Sequence, residues 1–65
     1  MKTIFRSGDL LRSERFGWVY RIITVKNGTA ILEDVSKESI RIKFSLSALR
    51  NRVKYNIFAH TPSPL

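Results

Sequence analysis

Two β-rich runs, WVYRIITVK and TAILEDV, meet at Asn27-Gly28, and this junction constrains the fold more than any other feature of the chain. Asn and Gly both tolerate positive φ, which a two-residue type I′ turn demands at each of its central positions. Residues 18–35 therefore predict a β-hairpin. A two-residue loop pairs Val25 with Ala30, Ile23 with Leu32 and Arg21 with Asp34, the last pair bringing opposite charges together across the strands. Trp18, Tyr20, Ile22, Ile31 and Val35 then collect on the other face. Apolar groups on both faces point to a sheet curled onto itself rather than a flat sheet with one wet side.

After a polar turn at residues 36–39 (SKES), Ile40, Ile42 and Phe44 alternate with Arg41 and Lys43, which predicts a half-buried strand with the two cations outward. Ser45 or Ser47 suits the cap of a single helical or 3₁₀ turn that points Leu46 and Leu49 inward. The run RVKYNIF, residues 52–58, reads as a final strand, with Val53, Tyr55 and Ile57 on one side and Arg52, Lys54 and Asn56 on the other. Gly8-Asp9 reads as a turn before Leu10 and Leu11, and residues 12–17 as a polar loop. The expected fold is mainly β: a small five-stranded SH3-like barrel with one short helical turn before the last strand, an open OB-like barrel being its nearest rival. Residues 1–58 form that domain, and residues 59–65, with two prolines and no periodicity, form a disordered tail or the start of a linker.

A chain of 65 residues has room for one core. Without cysteine, no disulfide can staple that core, and neither a thiolate metal site nor a thiol nucleophile can form; a cytoplasmic location is expected. Arg6 and Asp9 interrupt any signal-peptide core near the start, and no window approaches the roughly 18 apolar residues of a membrane-spanning helix. Charge is the strongest compositional fact. Twelve Lys and Arg against five Asp and Glu leave +7, of which residues 1–35 carry six minus four and residues 36–65 six minus one. Such a bias predicts attraction to a polyanion, with nucleic acid the leading candidate.

Catalysis needs a nucleophile or an acid/base group supported by a second group, and the inventory is thin. His60 beside the prolines reads as an exposed tail residue; Glu33 and Asp34 are neighbours on a strand and point to opposite faces; Asp9 shapes a turn rather than binding a metal. Gly8, Gly17 and Gly28 are isolated, so no phosphate-cradling loop is present. The expectation is a module that is not an enzyme and has no metal or cofactor.

The expected interface is the basic segment that contains Arg41 and Lys43, followed by Arg50, Arg52 and Lys54, with Trp18 and Tyr55 as exposed aromatics for contact with bases. Charges on an exposed strand also serve solubility and discourage edge-to-edge pairing, but a merely solvated face mixes signs, and this segment has no acidic residue. Arg6, Arg12 and Arg15 make a weaker second cluster, diluted by Asp9 and Glu14. The alternative function is a protein-interaction module that docks another subunit or domain, which an exposed apolar patch containing Trp18 or Tyr20 favours.

The run GWVYRIITVKNGTAILEDVS, a basic strand and then SLSALRNRV resemble the small β module at the amino end of DDE-type transposases, the Mu-like and transposase B-subunit group of bacterial transposons. Tyr20, Arg21, Ile22, Gly28, Leu46 and Leu49 carry the resemblance, which spans about residues 5–55. It implies duplex DNA as the ligand, other transposase domains or subunits as partners, and a role in end binding or assembly. None of the family's catalytic carboxylates maps onto Asp9, Glu14, Glu33, Asp34 or Glu38.

Overall fold

At the tip of the hairpin Asn27 and Gly28 take φ of 53° and 74°, the left-handed pair that a type I′ turn requires. The structure, a computed structural model, describes residues 4–37 and 40–64. Its strands are β1 (Leu10–Ser13), β2 (Val19–Lys26), β3 (Thr29–Asp34), β4 (Arg41–Ser45) and β5 (Phe58–Thr61), with one helix, α1 (Leu46–Lys54), before β5. All five strands join one antiparallel sheet in the order β4-β3-β2-β1-β5. The mainly β class, the strand number and the helix before the last strand are as the sequence predicts. Among the described residues β4 and β5 are the two edges, and no ladder joins them. The sheet curls far enough for Phe44 of β4 and Phe58 of β5 to meet edge to face at 5.9 Å, and α1 packs against both strands.

The hairpin register holds near the turn, with Val25 opposite Ala30, and then departs from expectation. A β-bulge between Ile22 and Thr24 sets Ile22 opposite Leu32, Arg21 opposite Glu33 and Tyr20 opposite Asp34. The reason is the pattern of side chains. Unbroken alternation from an inward Val25 would drive Arg21 into the core, whereas the extra residue turns Ile22 and Tyr20 inward and leaves Arg21 in water. The bulged segment is held from the side: Gly8 N–H donates to the Ile22 carbonyl, Ile22 N–H to the Asp9 carbonyl, and the Ser7 hydroxyl to the Ile23 carbonyl. Asp34, freed from the expected pair with Arg21, accepts from Ser36 and Lys37 in the following turn. Glu38 and Ser39 of that predicted turn lie outside the described residues, as do Met1, Lys2, Thr3 and Leu65 of the predicted domain and tail.

The core is built from Leu11, Ile22, Ala30, Leu32 and Leu49, all fully buried, with Phe5, Tyr20 and Phe58 around them. Ile42 and Phe44 turn toward it from β4 as expected, while Ile40 stays exposed. Trp18 and Val35 are exposed too, so the second apolar face expected on the hairpin is split by the bulge.

Residues 52–57 are not a strand. Leu46, Leu49 and Val53 fall three and four apart and face the core, which is helical spacing, and Ser45 caps the first turn by accepting from Ala48 N–H at 3.1 Å. Arg52 and Lys54 occupy the last turn, where the helix dipole favours cations. Tyr55 is the C-cap, and Asn56 follows with φ of 60°. The last strand therefore begins only at Phe58, and residues 59–61, expected in a tail, complete it.

The exposed tail position expected for His60 is overturned. His60 pairs opposite Leu11, and its Nε2 lies 2.8 Å from Asp9 Oδ2, with Asp9 buried and the His60 side chain 10% exposed. Asp9 also accepts from Arg6 N–H and, at 2.7 Å, from Ser63 N–H. Burial alone pushes the Asp9 carboxyl up, but the hydrogen bonds from Ser63, His60 and Arg6, with the charge of His60, outweigh burial and hold it below its ordinary 3.8. Both carboxylate oxygens are engaged, so the pair acts as a clasp between the start of the chain and the end of β5.

Candidate nucleic-acid interface

Cross-strand register decides which cations share a surface, because residues paired across a ladder point to the same face. One outward row runs Arg21, Glu33, Arg41 across β2, β3 and β4. The next runs Thr24, Ile31, Lys43, and the third Lys26, Thr29, Ser45. On the other side Arg12 sits opposite Val19 and Ala59, again facing outward. The outer face of the sheet thus gathers Arg12, Arg21, Lys26, Arg41 and Lys43 around a single strand carboxylate, Glu33. All of these cations are exposed, whereas the Glu33 side chain is largely covered.

Two of these cations have acidic neighbours. Arg41 Nε lies 3.5 Å from Glu33 Oε2, and Arg12 lies 3.3 Å from Glu14. Pairs with an exposed partner are worth at most about 1 kcal/mol, so either Arg can exchange its carboxylate for a phosphate at small cost. Adjacent strands are about 4.8 Å apart, which places Arg21 and Arg41 roughly 10 Å from each other. Between Lys26 and Lys43 the surface is an open depression lined by Thr24, Thr29 and Ile31.

Arg41 and Lys43 are therefore placed as the sequence predicts, but Arg50, Arg52 and Lys54 are not with them. Those three ride on α1, which packs on the inner side of the sheet through Leu49. The Arg52 guanidinium lies 4.7 Å above the Phe44 ring and reaches the Ala48 carbonyl, and Lys54 Nζ lies 5.6 Å from the Tyr55 ring. In their place the structure supplies Arg21, Lys26 and Arg12. By sequence Arg12 falls in the weaker cluster, Arg21 in the expected pair with Asp34, and Lys26 in neither candidate set. The alternation Tyr20, Arg21, Ile22 was the signal for Arg21; no local signal joins strands from separate parts of the chain.

Trp18 and Tyr55 are both exposed, 55% and 66%, but occupy different settings. Tyr55 caps α1. Trp18 stacks on Phe16 with ring centres 4.7 Å apart and lines an open cavity of about 180 Å³ together with Tyr20, Ile42, Phe44 and Ile57. The Arg15 guanidinium sits 5.3 Å from the Phe16 ring. This groove is formed by inward-facing side chains at the open mouth of the sheet, apart from the cationic outer face.

Among the described residues no three His, Cys, Asp or Glu side chains converge to hold a metal ion, and no helix is long and apolar enough to cross a membrane. No family model, curated protein or solved structure matches this chain.

Proposed function

We propose that this chain is a non-catalytic module that holds nucleic acid, duplex DNA in particular, by its phosphates. The observation that carries this reading is the register that sets Arg12, Arg21, Lys26, Arg41 and Lys43 on one sheet face where, among the described residues, Glu33 is the one strand carboxylate. Rigid strands fix the spacing of these cations, so a phosphate contact orders a side chain but no backbone, and each contact releases counterions. The resemblance to transposase modules favours DNA over RNA and makes other domains or subunits of a transposase the further partners. Tyr20, Ile22 and Leu49, which help to carry that resemblance, are buried, and Gly28 turns the hairpin; Arg21 alone among its residues lies on the DNA face. Lack of cysteine suits the reducing cytoplasm where such a module works.

The test is fluorescence anisotropy with a labelled duplex across a range of salt. Contacts by all the outer-face cations give a slope of log affinity on log salt near −4.5, about 0.9 for each. Changing Arg21, Lys26, Arg41 and Lys43 together to Gln leaves a slope near −1 and weakens binding at every sequence, while Arg50→Gln with Lys54→Gln changes it much less. An unaltered slope in the fourfold variant overturns the assignment of this face.

A further inference from the structure

The aromatic groove is absorbed by none of this. Phe16 and Trp18 leave more than half of their surfaces in water, and Ile57 beside them is also exposed, a cluster of large apolar groups that a chain of this charge does not need for solubility. The walls come from separate elements: Phe16 and Trp18 from the β1–β2 connection, Tyr20 from β2, Ile42 and Phe44 from β4, and Ile57 from the residues between α1 and β5. The core and sheet beneath hold these walls in place, so the groove exists before anything enters it.

Its chemistry selects an occupant. The cavity, about 180 Å³, admits one large side chain rather than a folded surface, and aromatic rings and branched aliphatic carbon make up most of its lining. The Ser13 hydroxyl at its edge already accepts from Phe16 N–H at 3.2 Å. A nucleobase inserted here would lose water from its ring nitrogens and carbonyls and could recover only the one bond that the Ser13 hydroxyl still has to donate, a cost of about 1–3 kcal/mol for each group left unpaired. An apolar side chain has no such loss and gains from burial. Arg15 stands over Phe16 and Arg52 over Phe44, two of the lining rings, and among the described residues no carboxylate lines the groove.

The geometry points to this groove as the docking site for a peptide segment of a partner protein, in which a large apolar side chain such as Phe or Leu is flanked by Asp or Glu. The apolar residue fills the cavity between Trp18, Phe44 and Ile57, and the flanking carboxylates meet Arg15 and Arg52. The surface is separate from the proposed DNA face, so one domain can hold a duplex and an acidic partner together.

Trp18 is the sole tryptophan, so its emission reports occupancy of the groove. The probes are the acidic hexapeptide Asp-Glu-Phe-Leu-Glu-Asp, the same peptide with Gly-Ser at its centre, and a hexamer of oligothymidine. The Phe-Leu peptide shifts the emission saturably, and the Gly-Ser peptide binds at least about tenfold more weakly, the loss of one buried anchor. By amide NMR, Phe16→Ser and Ile57→Ser, both at exposed positions, weaken the Phe-Leu peptide by a similar factor with the remaining spectrum unchanged, and Arg15→Gln removes part of the preference for acidic over neutral flanks. Lys26→Gln with Lys43→Gln leaves the peptide bound and weakens the duplex, which separates this groove from the DNA face. Equal binding of the two peptides, no emission change with either, or saturation of Trp18 by oligothymidine that excludes the Phe-Leu peptide overturns the proposal.

Discussion

Asp9 ties three parts of the chain through one carboxylate, taking hydrogen bonds from Arg6, His60 and Ser63. Because its folded-state pKa lies below the ordinary 3.8, its contribution to stability is fully present above that value and is lost as pH falls through the lowered one. Asp9→Asn should therefore cost about 2–4 kcal/mol near neutral pH, as expected for a buried charge-assisted network, and the gap to the parent should close in strong acid. Urea unfolding at neutral pH and through a descending series of acid pH values checks both halves of this, and a gap that does not narrow as pH falls below 3.8 excludes the ionised carboxylate as its source. Nothing in the local sequence announces the clasp, since Asp9 and His60 are 51 residues apart and His60 has prolines beside it. Glu33 is the complementary case on the surface, a carboxylate between Arg21 and Arg41 in one cross-strand row. Replacing it by Gln removes the charge that competes with phosphate, so Glu33→Gln should tighten duplex binding roughly threefold to tenfold at low salt and much less at high salt. Anisotropy titrations at two salt concentrations measure this, and weaker binding by the variant would mean that Glu33 orients the arginines rather than competing for them.

Helix α1 is the element that sequence patterning misassigned in part, although both signals were present. Val53, Tyr55 and Ile57 alternate as a strand would, while Leu46, Leu49 and Val53 recur as a helix would, and the helical set prevails because it buries Leu49 completely and completes the core. Ser45 was legible as a cap because a Ser before an apolar helical pattern satisfies an orphan N–H. Ser45→Ala should lower stability by about 1 kcal/mol, equivalent to a fall of about 4–8 °C in Tm for a domain of this size. At the other end Asn56 sits just past the C-cap at positive φ, where Gly carries no steric penalty and a residue with Cβ and no polar side chain does. Asn56→Gly should leave Tm unchanged or slightly raised, and Asn56→Ala should lower stability by about 1 kcal/mol. Thermal melts followed by circular dichroism decide both, and an Ala variant as stable as the Gly variant would show that the left-handed turn is dispensable. In β2 the limitation was different. The hairpin turn was readable from Asn27-Gly28, but a bulge between Ile22 and Thr24 has no marker in neighbouring residues; it follows from the need to keep Arg21 out of a core that also takes Val25.

For the molecule as a whole, the candidate surface was half legible: Arg41 and Lys43 sit on one strand, where period-two alternation is enough to place them outward. Arg12, Arg21 and Lys26 join them through ladders between strands, so their meeting depends on register and topology rather than on any window of sequence. The same distance effect makes the end of β5 part of the fold. Its residues Phe58 to Thr61 pair with Ser13 to Leu10, and the ladder covers Leu11, which has no exposed surface. A chain ending after Phe58 loses three of those pairings and the His60 and Ser63 partners of a buried Asp9, and an unpaired buried charge alone costs about 3–5 kcal/mol. A domain of 65 residues holds roughly 3–10 kcal/mol in total, so that chain should be largely unfolded at room temperature. A chain ending after Thr61 keeps the ladder and His60 and loses the Ser63 N–H, a cost of about 1–3 kcal/mol, and should fold with a lower Tm. Amide NMR spectra and melts of the two truncations test the difference. If the chain ending after Phe58 retains a dispersed spectrum and the Tm of the longer one, the sheet folds without the rest of β5, and the clasp at Asp9 is not what joins the two ends of the fold.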